Sequence, residues 1–324
     1  MAEHWAWATS TVLESDDFSH FMIVTDRMVL ADNAIDRLSQ QVATHPTLPI
    51  VFPLPAVDDF RKPIGYSPHP VTRATYRIRS QKLAAQIAGG DCRAWTTPRP
   101  MNAILPTDLM KRIYGDCGHL FGQLAPDYHS AYHVLSSADE FLALDDVVAV
   151  QHSLARSNGM TTVWGHSNSA ADDYHAKNVA AGIVLRVPIP EVATASNFMF
   201  HEYLAVREER MRLPPLDAIA YAATLRLDVL QLKENHTLAA EYSTYLGSET
   251  LRPNGRIARP RGWVPYLAVQ RSEALAARIA PSKIRFRSLE QALDYACRVR
   301  PSRLLQSKSE HWPPGAVEIL KECP

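Results

Sequence analysis

Over its first fifty residues this chain alternates between two hydrophobic periods, and few architectures satisfy both. Residues 3–13, EHWAWATSTVL, predict a short helix with Trp5 available to a core. Phe21-Met22-Ile23-Val24 is strand-prone and predicts a strand over 21–25. ADNAIDRLSQQVATHP then places Ile35, Leu38 and Val42 at i, i+3 and i+7, with Asp32 as N-cap and Pro46 beyond the end. LPIVFPL, residues 48–54, predicts another strand, assigned to a sheet edge because proline cannot donate to a ladder. Helix-strand-helix-strand is the pattern of an α/β domain.

The rest of the chain continues that pattern and then leaves it. A helix is predicted over 80–88, ended by Gly89-Gly90 and preceded by a basic patch of Arg73, Arg77 and Arg79. NAILPTDLMKRIYG reads as a strand followed by a helix, with Thr107 as cap, Leu109, Met110 and Ile113 inward and Gly115 as stop. DDVVAVQHSLARSNG holds a further strand near 147–152. Beyond about residue 190 the spacing is helical, over 194–211, 216–235, 272–280 and 288–300. The expected organisation is an α/β domain over 1–190 and a mainly helical region over 191–324.

Charge and cysteine usage narrow the function classes. The formal net charge is zero, so no global field points to nucleic acid. The stretch from Arg252 to Lys308 is nevertheless basic, with thirteen Lys/Arg against three acids. It reads as a solvated face, or as a peripheral contact with an anionic membrane or a phosphate-bearing acceptor. Cys92, Cys117, Cys297 and Cys323 form neither a zinc signature nor a disulfide framework, which suits a reducing cytoplasm. No apolar run approaches the ~18 residues of a membrane span and no signal peptide opens the chain, so the expectation is a cytoplasmic protein, at most peripheral to a membrane.

Four groups of residues could carry chemistry. Asp26 and Arg27 follow the 21–25 strand, either as a solvated turn or as charge presented to a ligand. In LAPDYHSAYHVL, Pro126 suits the first position of a helix, and Asp127 falls in the first turn, where the helix dipole favours its ionised form. Asp127 could serve only that helix start, or could take a proton from an incoming hydroxyl. His129 and His133, at i and i+4, share a helix face, as in H-E-x-x-H zinc enzymes. Ser130 stands where that motif has its glutamate, so a zinc hydrolase would need a third ligand such as His152 or His166. Two polar positions on a half-exposed helix are the plainer reading. The Ser/Asn/Gly-rich loop after residue 152 either lines a site or is ordinary surface. Neither G-x-G-x-x-G, G-x-x-x-x-G-K nor G-x-S-x-G occurs.

Taken in order, these pieces resemble a bacterial family-2 glycosyltransferase of the GT-A fold. MAEHWAWA is similar to the Trp-bearing helix before that family's acidic motif, and FMIVTDRMVLADNAIDRL to its strand, acid-x-acid tip and following helix. PRPMNAILPTDLMKRI is similar to the Pro-Arg and Asn segment before the acceptor-side helix. LFGQLAPDYHSAY and SLARSNG are similar to the S/A-P-D stretch and the Ser-Asn-Gly loop behind it, so the likeness covers about residues 1–165. The resemblance implies a partial GT-A mixed sheet flanked by helices, and transfer of a sugar from a nucleotide-diphosphate donor to a hydroxyl of a glycan or lipid-linked acceptor, as in polysaccharide biosynthesis. It implies Asp127 as general base, and Asp26, Arg27, Asn102, Ser157 and Asn158 at the donor. It also implies a divalent cation, Mg²⁺ or Mn²⁺, held at Asp26 against the diphosphate.

The sequence departs from that family twice. The tip reads Thr25-Asp26-Arg27, with one acid where two are usual, and the expectation is that the Arg27 guanidinium takes over part of the cation's role. Only 25 residues precede Asp26, fewer than a βαβ unit of ~30 residues requires. The family's base-gripping unit is therefore expected to be missing, through a translation start upstream of Met1 or through decay or repurposing of the chain. A non-catalytic binding or scaffold protein built from a truncated GT-A fold is the alternative that this departure favours.

Overall fold

In a computed structural model of the chain, the described residues are 2–59, 62–66, 74–153, 176–178, 180–232, 235–247, 284–298 and 317–320. The elements begin with α1 (Ala2–Glu14), β1 (His20–Phe21), β2 (Met28–Leu30), α2 (Ala34–Thr44), β3 (Ile50–Val51), β4 (Val57–Asp58) and β5 (Ile64–Tyr66). They continue with β6 (Thr75–Arg79), α3 (Ser80–Ala88), β7 (Ala103–Pro106), α4 (Thr107–Cys117), α5 (Pro126–Ser137), β8 (Glu140–Leu144) and β9 (Ala149–Gln151). Then come α6 (Ala195–Arg210), α7 (Ala218–Gln231), α8 (His236–Gly247), β10 (Ile284–Phe286), α9 (Leu289–Cys297) and β11 (Val317–Leu320).

The main sheet has six strands in the order β1-β7-β3-β8-β6-β11. It is mixed: β3 runs parallel to β8, with Ile50 opposite Leu142, and every other pair is antiparallel. Helices flank it, and the fold is a mixed α/β architecture. A three-stranded sheet, β10-β5-β4, and the β2-β9 pair stand apart from it. There α9 lays Ala292 and Ala296 over Val57, Ile64 and Tyr66, forming a small second core. Among the described residues no helix is long and apolar enough to cross a membrane.

Several local expectations change. The 21–25 strand shortens to His20–Phe21, and Asp26-Arg27 becomes a turn before β2. The 48–54 strand is interior, not an edge, because Pro49 and Pro53 stand just outside the two paired residues and no ladder donor is lost. Ile35 faces solvent while Ala34 and Leu38 are buried, and Asn33 rather than Asp32 holds the N-cap. Thr107 is the first residue of α4 rather than its cap, and the helix passes Gly115 to end at Gly118, whose φ of 76° suits glycine. Strands β6 and β8 were not among the expected elements. Their pairing carries the Arg77–Glu140 ion pair, so part of the basic patch is a cross-strand contact.

The core crosses residue 190. One apolar cluster includes Leu38, Ile87, Tyr132 and Phe141 together with Phe200, Tyr203, Tyr221 and Leu246. At its middle lies α5, packed on α3, α4 and α6. Tyr128 through Ser136 are all buried, so His129 and His133 are not on a half-exposed face as expected. A helix surrounded on all sides is ordinarily apolar. This one carries buried histidines and serines; the chain beyond 190 supplies Glu202 to His129 and Glu209 to His133, while Ser136 Oγ donates back to His133 O.

Candidate active site at the start of the buried helix

Asp127 stands in the first turn of α5, behind Pro126 at its start. Its side chain is 18% exposed, and Arg99, with 22% of its side chain exposed, brings its guanidinium to 3.5 Å. Burial pushes the Asp127 carboxyl above its ordinary range; Arg99 and the backbone N–H groups of Tyr128 and Asp127 oppose that rise without cancelling it. The guanidinium also sits over the Tyr128 ring, 5.1 Å from its centroid, which holds its plane against the helix start.

Arg99 is positioned by Asn102. The Asn102 amide is wholly buried: its Nδ2 donates to Phe52 O at 3.2 Å and Trp95 O at 2.9 Å. Its Oδ1 accepts from Arg99 N and Nε, each at 3.2 Å. Every hydrogen-bonding group of the amide is thus engaged by the protein. Asn102, expected at the donor, ties the residue after β3, the Trp95 loop and Arg99 together.

The Asp26-Arg27 turn borders the same loop. Ile23 N donates to Pro100 O at 2.9 Å, joining the chain just before Asp26 to the residue after Arg99. On its other side Arg27 O accepts from His152 N at 2.9 Å, next to β9. The Asp26 carboxylate is 92% exposed and 3.9 Å from Arg27 Nε. Ser157, Asn158 and His166 lie outside the described residues. His152 pairs its ring with Ser153 Oγ at 2.9 Å.

A hard divalent cation needs several convergent oxygen ligands. Among the described residues the one group of three or more His, Cys, Asp and Glu side chains that could share an ion does not include Asp26. The donor set at Asp26, one exposed carboxylate beside an arginine, does not fit Mg²⁺ or Mn²⁺.

That one group lies on the far part of α5. His129 Nδ1 donates to Glu202 Oε2 at 2.7 Å, and Glu202 Oε1 accepts from Leu124 N and Ala125 N at 2.8 and 2.9 Å. Burial alone would raise the Glu202 carboxyl, but the hydrogen bond from His129 and those two N–H donors outweigh it and hold it below its ordinary value. Glu202 thereby caps the chain entering α5 from α6.

Sequence reasoning did not single out Arg99 or Glu202. Arg99 was visible as the arginine of the quoted Pro-Arg segment. Glu202 left one signal, an acid at i+4 from Phe198 and i−4 from Val206, on the apolar stripe of its helix.

No family model and no curated protein matches the sequence. Among solved structures, the chain is similar to S. aureus TarS 1–349 in complex with UDP-GlcNAc, with a TM-score of 0.33 and 11% identity over 72% of this chain and 70% of that one. TarS 1–349 by itself gives the same score and identity, covering 69% of its own length. A likeness this loose assigns neither family nor activity.

Proposed function

We propose that this chain is a glycosyltransferase, moving a sugar from a nucleotide-diphosphate donor to a hydroxyl of a glycan or lipid-linked acceptor. Asp127 is the general base, and the Asp26-Arg27 turn faces the diphosphate. One observation carries the reading: a carboxyl at a helix start, mostly buried but still reached by solvent, raised in pKa and beside a fixed guanidinium. A carboxylate with a raised pKa is a better proton acceptor than a solvated one, and the order of motifs around it is that of such enzymes. Arg99 holds the carboxylate in place, and the Arg27 fork suits phosphate oxygens. No step is routed through a divalent cation, since the residues at Asp26 do not form its cage. In the same reading the basic stretch 252–308 meets an anionic membrane surface on the cytoplasmic side, near a polysaccharide or glycolipid acceptor.

The test is a panel of UDP-, GDP- and TDP-sugars, with UDP-GlcNAc, the ligand of the TarS structure, among them. The expected result is transfer or slow hydrolysis of one donor, reduced roughly 10²–10⁴-fold in Asp127→Asn with an unchanged circular dichroism spectrum. Full turnover in Asp127→Asn sinks the general-base role. Turnover that depends wholly on Mn²⁺ and ignores Arg27→Ala sinks the role given to Arg27. The exposure and isolation of Asp26 favour a second reading, a non-catalytic nucleotide-sugar binder, whose signature is donor affinity without turnover.

A further inference from the structure

The histidines of α5 are better explained by a metal ion than by packing. His119 in the loop after α4, His129 and His133 on α5, and Glu209 near the end of α6 each direct one ligand atom to a common point, all within 4.8 Å of one another. His129 Nε2 and His133 Nε2 are 3.1 Å apart, His119 Nε2 and Glu209 Oε1 3.4 Å, and His133 Nε2 and Glu209 Oε2 3.6 Å. Ligands at about 2.0–2.1 Å from a tetrahedral ion lie about 3.3 Å from each other, close to these three separations, and the wider spread of the set, up to 4.8 Å, has to contract when an ion binds. We infer that His119, His129, His133 and Glu209 form a four-ligand site for a zinc-class divalent ion, clamping α5 to α6 and to the end of α4.

The surroundings fit that assignment. Glu202 takes the proton-bearing Nδ1 of His129 at 2.7 Å, which turns the Nε2 lone pair toward the cluster. This is the carboxylate–histidine arrangement that fixes the tautomer of a ligating imidazole. The His133 Nδ1 lies 3.8 Å from Cys117 Sγ, leaving its Nε2 on the cluster side. The neighbouring Arg210 is engaged by Asp116 and Ile113 O rather than by Glu209. His129 and His133 are buried, while the His119 and Glu209 side chains are 43% and 33% exposed, so an ion has a route in from the surface.

Three imidazoles and a carboxylate select Zn²⁺ over Mg²⁺ or Ca²⁺, which prefer oxygen ligands. Four protein ligands leave no open position, so the site is structural rather than hydrolytic. The third and fourth ligands are His119 and Glu209; His152 is not among them, and His166 lies outside the described residues. This site is independent of the proposed sugar transfer, and either can fail alone.

The experiment is metal analysis of the full chain after dialysis with Zn²⁺ and then without it, read by inductively coupled plasma mass spectrometry and by the visible spectrum of the Co²⁺-substituted protein. The expected result is about one zinc per chain, tetrahedral Co²⁺ bands, and no displacement by excess Mg²⁺. His119→Ala and Glu209→Ala change the exposed ligands and leave the buried pair in place. Each is expected to lose the zinc and its rise in Tm while keeping the circular dichroism of the wild type. Glu202→Gln, a positioning change, should weaken zinc binding about 10–100-fold. A folded chain that takes up no zinc overturns the assignment. Zinc retained equally in His119→Ala and Glu209→Ala overturns it too, because the ion is then bound elsewhere.

Discussion

At the scale of single residues, Asp127 shows how a carboxyl buried at a helix start costs stability. Its folded pKa lies above the ordinary carboxylate value, chiefly through burial. The folded state therefore holds the proton more tightly than the unfolded chain, and stability falls as pH rises from the unfolded pKa through the folded one. The carboxylate is least welcome at neutral pH, where a general base must be ionised. Asp127→Asn mimics the protonated acid. Its Tm is expected to match that of the wild type near about pH 4 and to exceed it progressively toward about pH 7. Thermal melts of both proteins across that range check the sign, and a variant that loses ground as pH rises refutes it. Asp127 could be picked from the sequence because Pro126 marks the helix start. Arg99 was harder to weigh, since what makes it matter is the buried amide of Asn102, whose partners Phe52 and Trp95 lie on other segments.

At the scale of elements, the α5–α6 contact is what makes a polar helix tolerable in a core. Glu202 satisfies His129 and two N–H groups before α5 together, so the buried charge is shared among three donors. Gly122 allows this approach. A Cβ there would lie 2.6 Å from His129 Nδ1 and would collide with the Glu202 carboxylate, which its hydrogen bonds hold in place. Gly122→Ala is therefore expected to cost roughly 1–3 kcal/mol, read as a lower denaturant midpoint at unchanged m-value. Gly115→Ala is the control, since a Cβ at Gly115 meets nothing within 4 Å. Elements with strong local signals were legible: α3, α4, α6 and α7 fall close to their expected spans, and α5 starts at the expected Pro126. Strand β8 was not, because a strand buried on both faces loses the alternation that identifies a strand; β6 alternates Tyr76 and Ile78 with Arg77 and Arg79, but those arginines read as a basic patch instead.

At the scale of the whole molecule, residues past 190 complete what precedes them. Phe200, Tyr203 and Tyr221 lie in the same apolar cluster as Tyr132 and Phe141, and β11 pairs with β6 along Thr75–Ile78. A chain cut after residue 190 would expose one side of α5 and leave His129 without its carboxylate. It is expected to be insoluble or, if recovered, to lack a cooperative thermal transition. A soluble fragment that melts cooperatively would show that 1–190 folds alone. The sequence by itself determined the α/β class of the first half, the approximate spans of helices such as α3, α4, α6 and α7, and the place of Asp127 in a first turn, because periodicity and capping act over a few residues. Only the tertiary structure decided that β3 is interior, that α5 is enclosed, and that His119, His129, His133 and Glu209 meet. Those facts depend on groups far apart in the chain, such as His129 and Glu202, 73 residues from each other, and no local spacing records which distant segment will fill a given space.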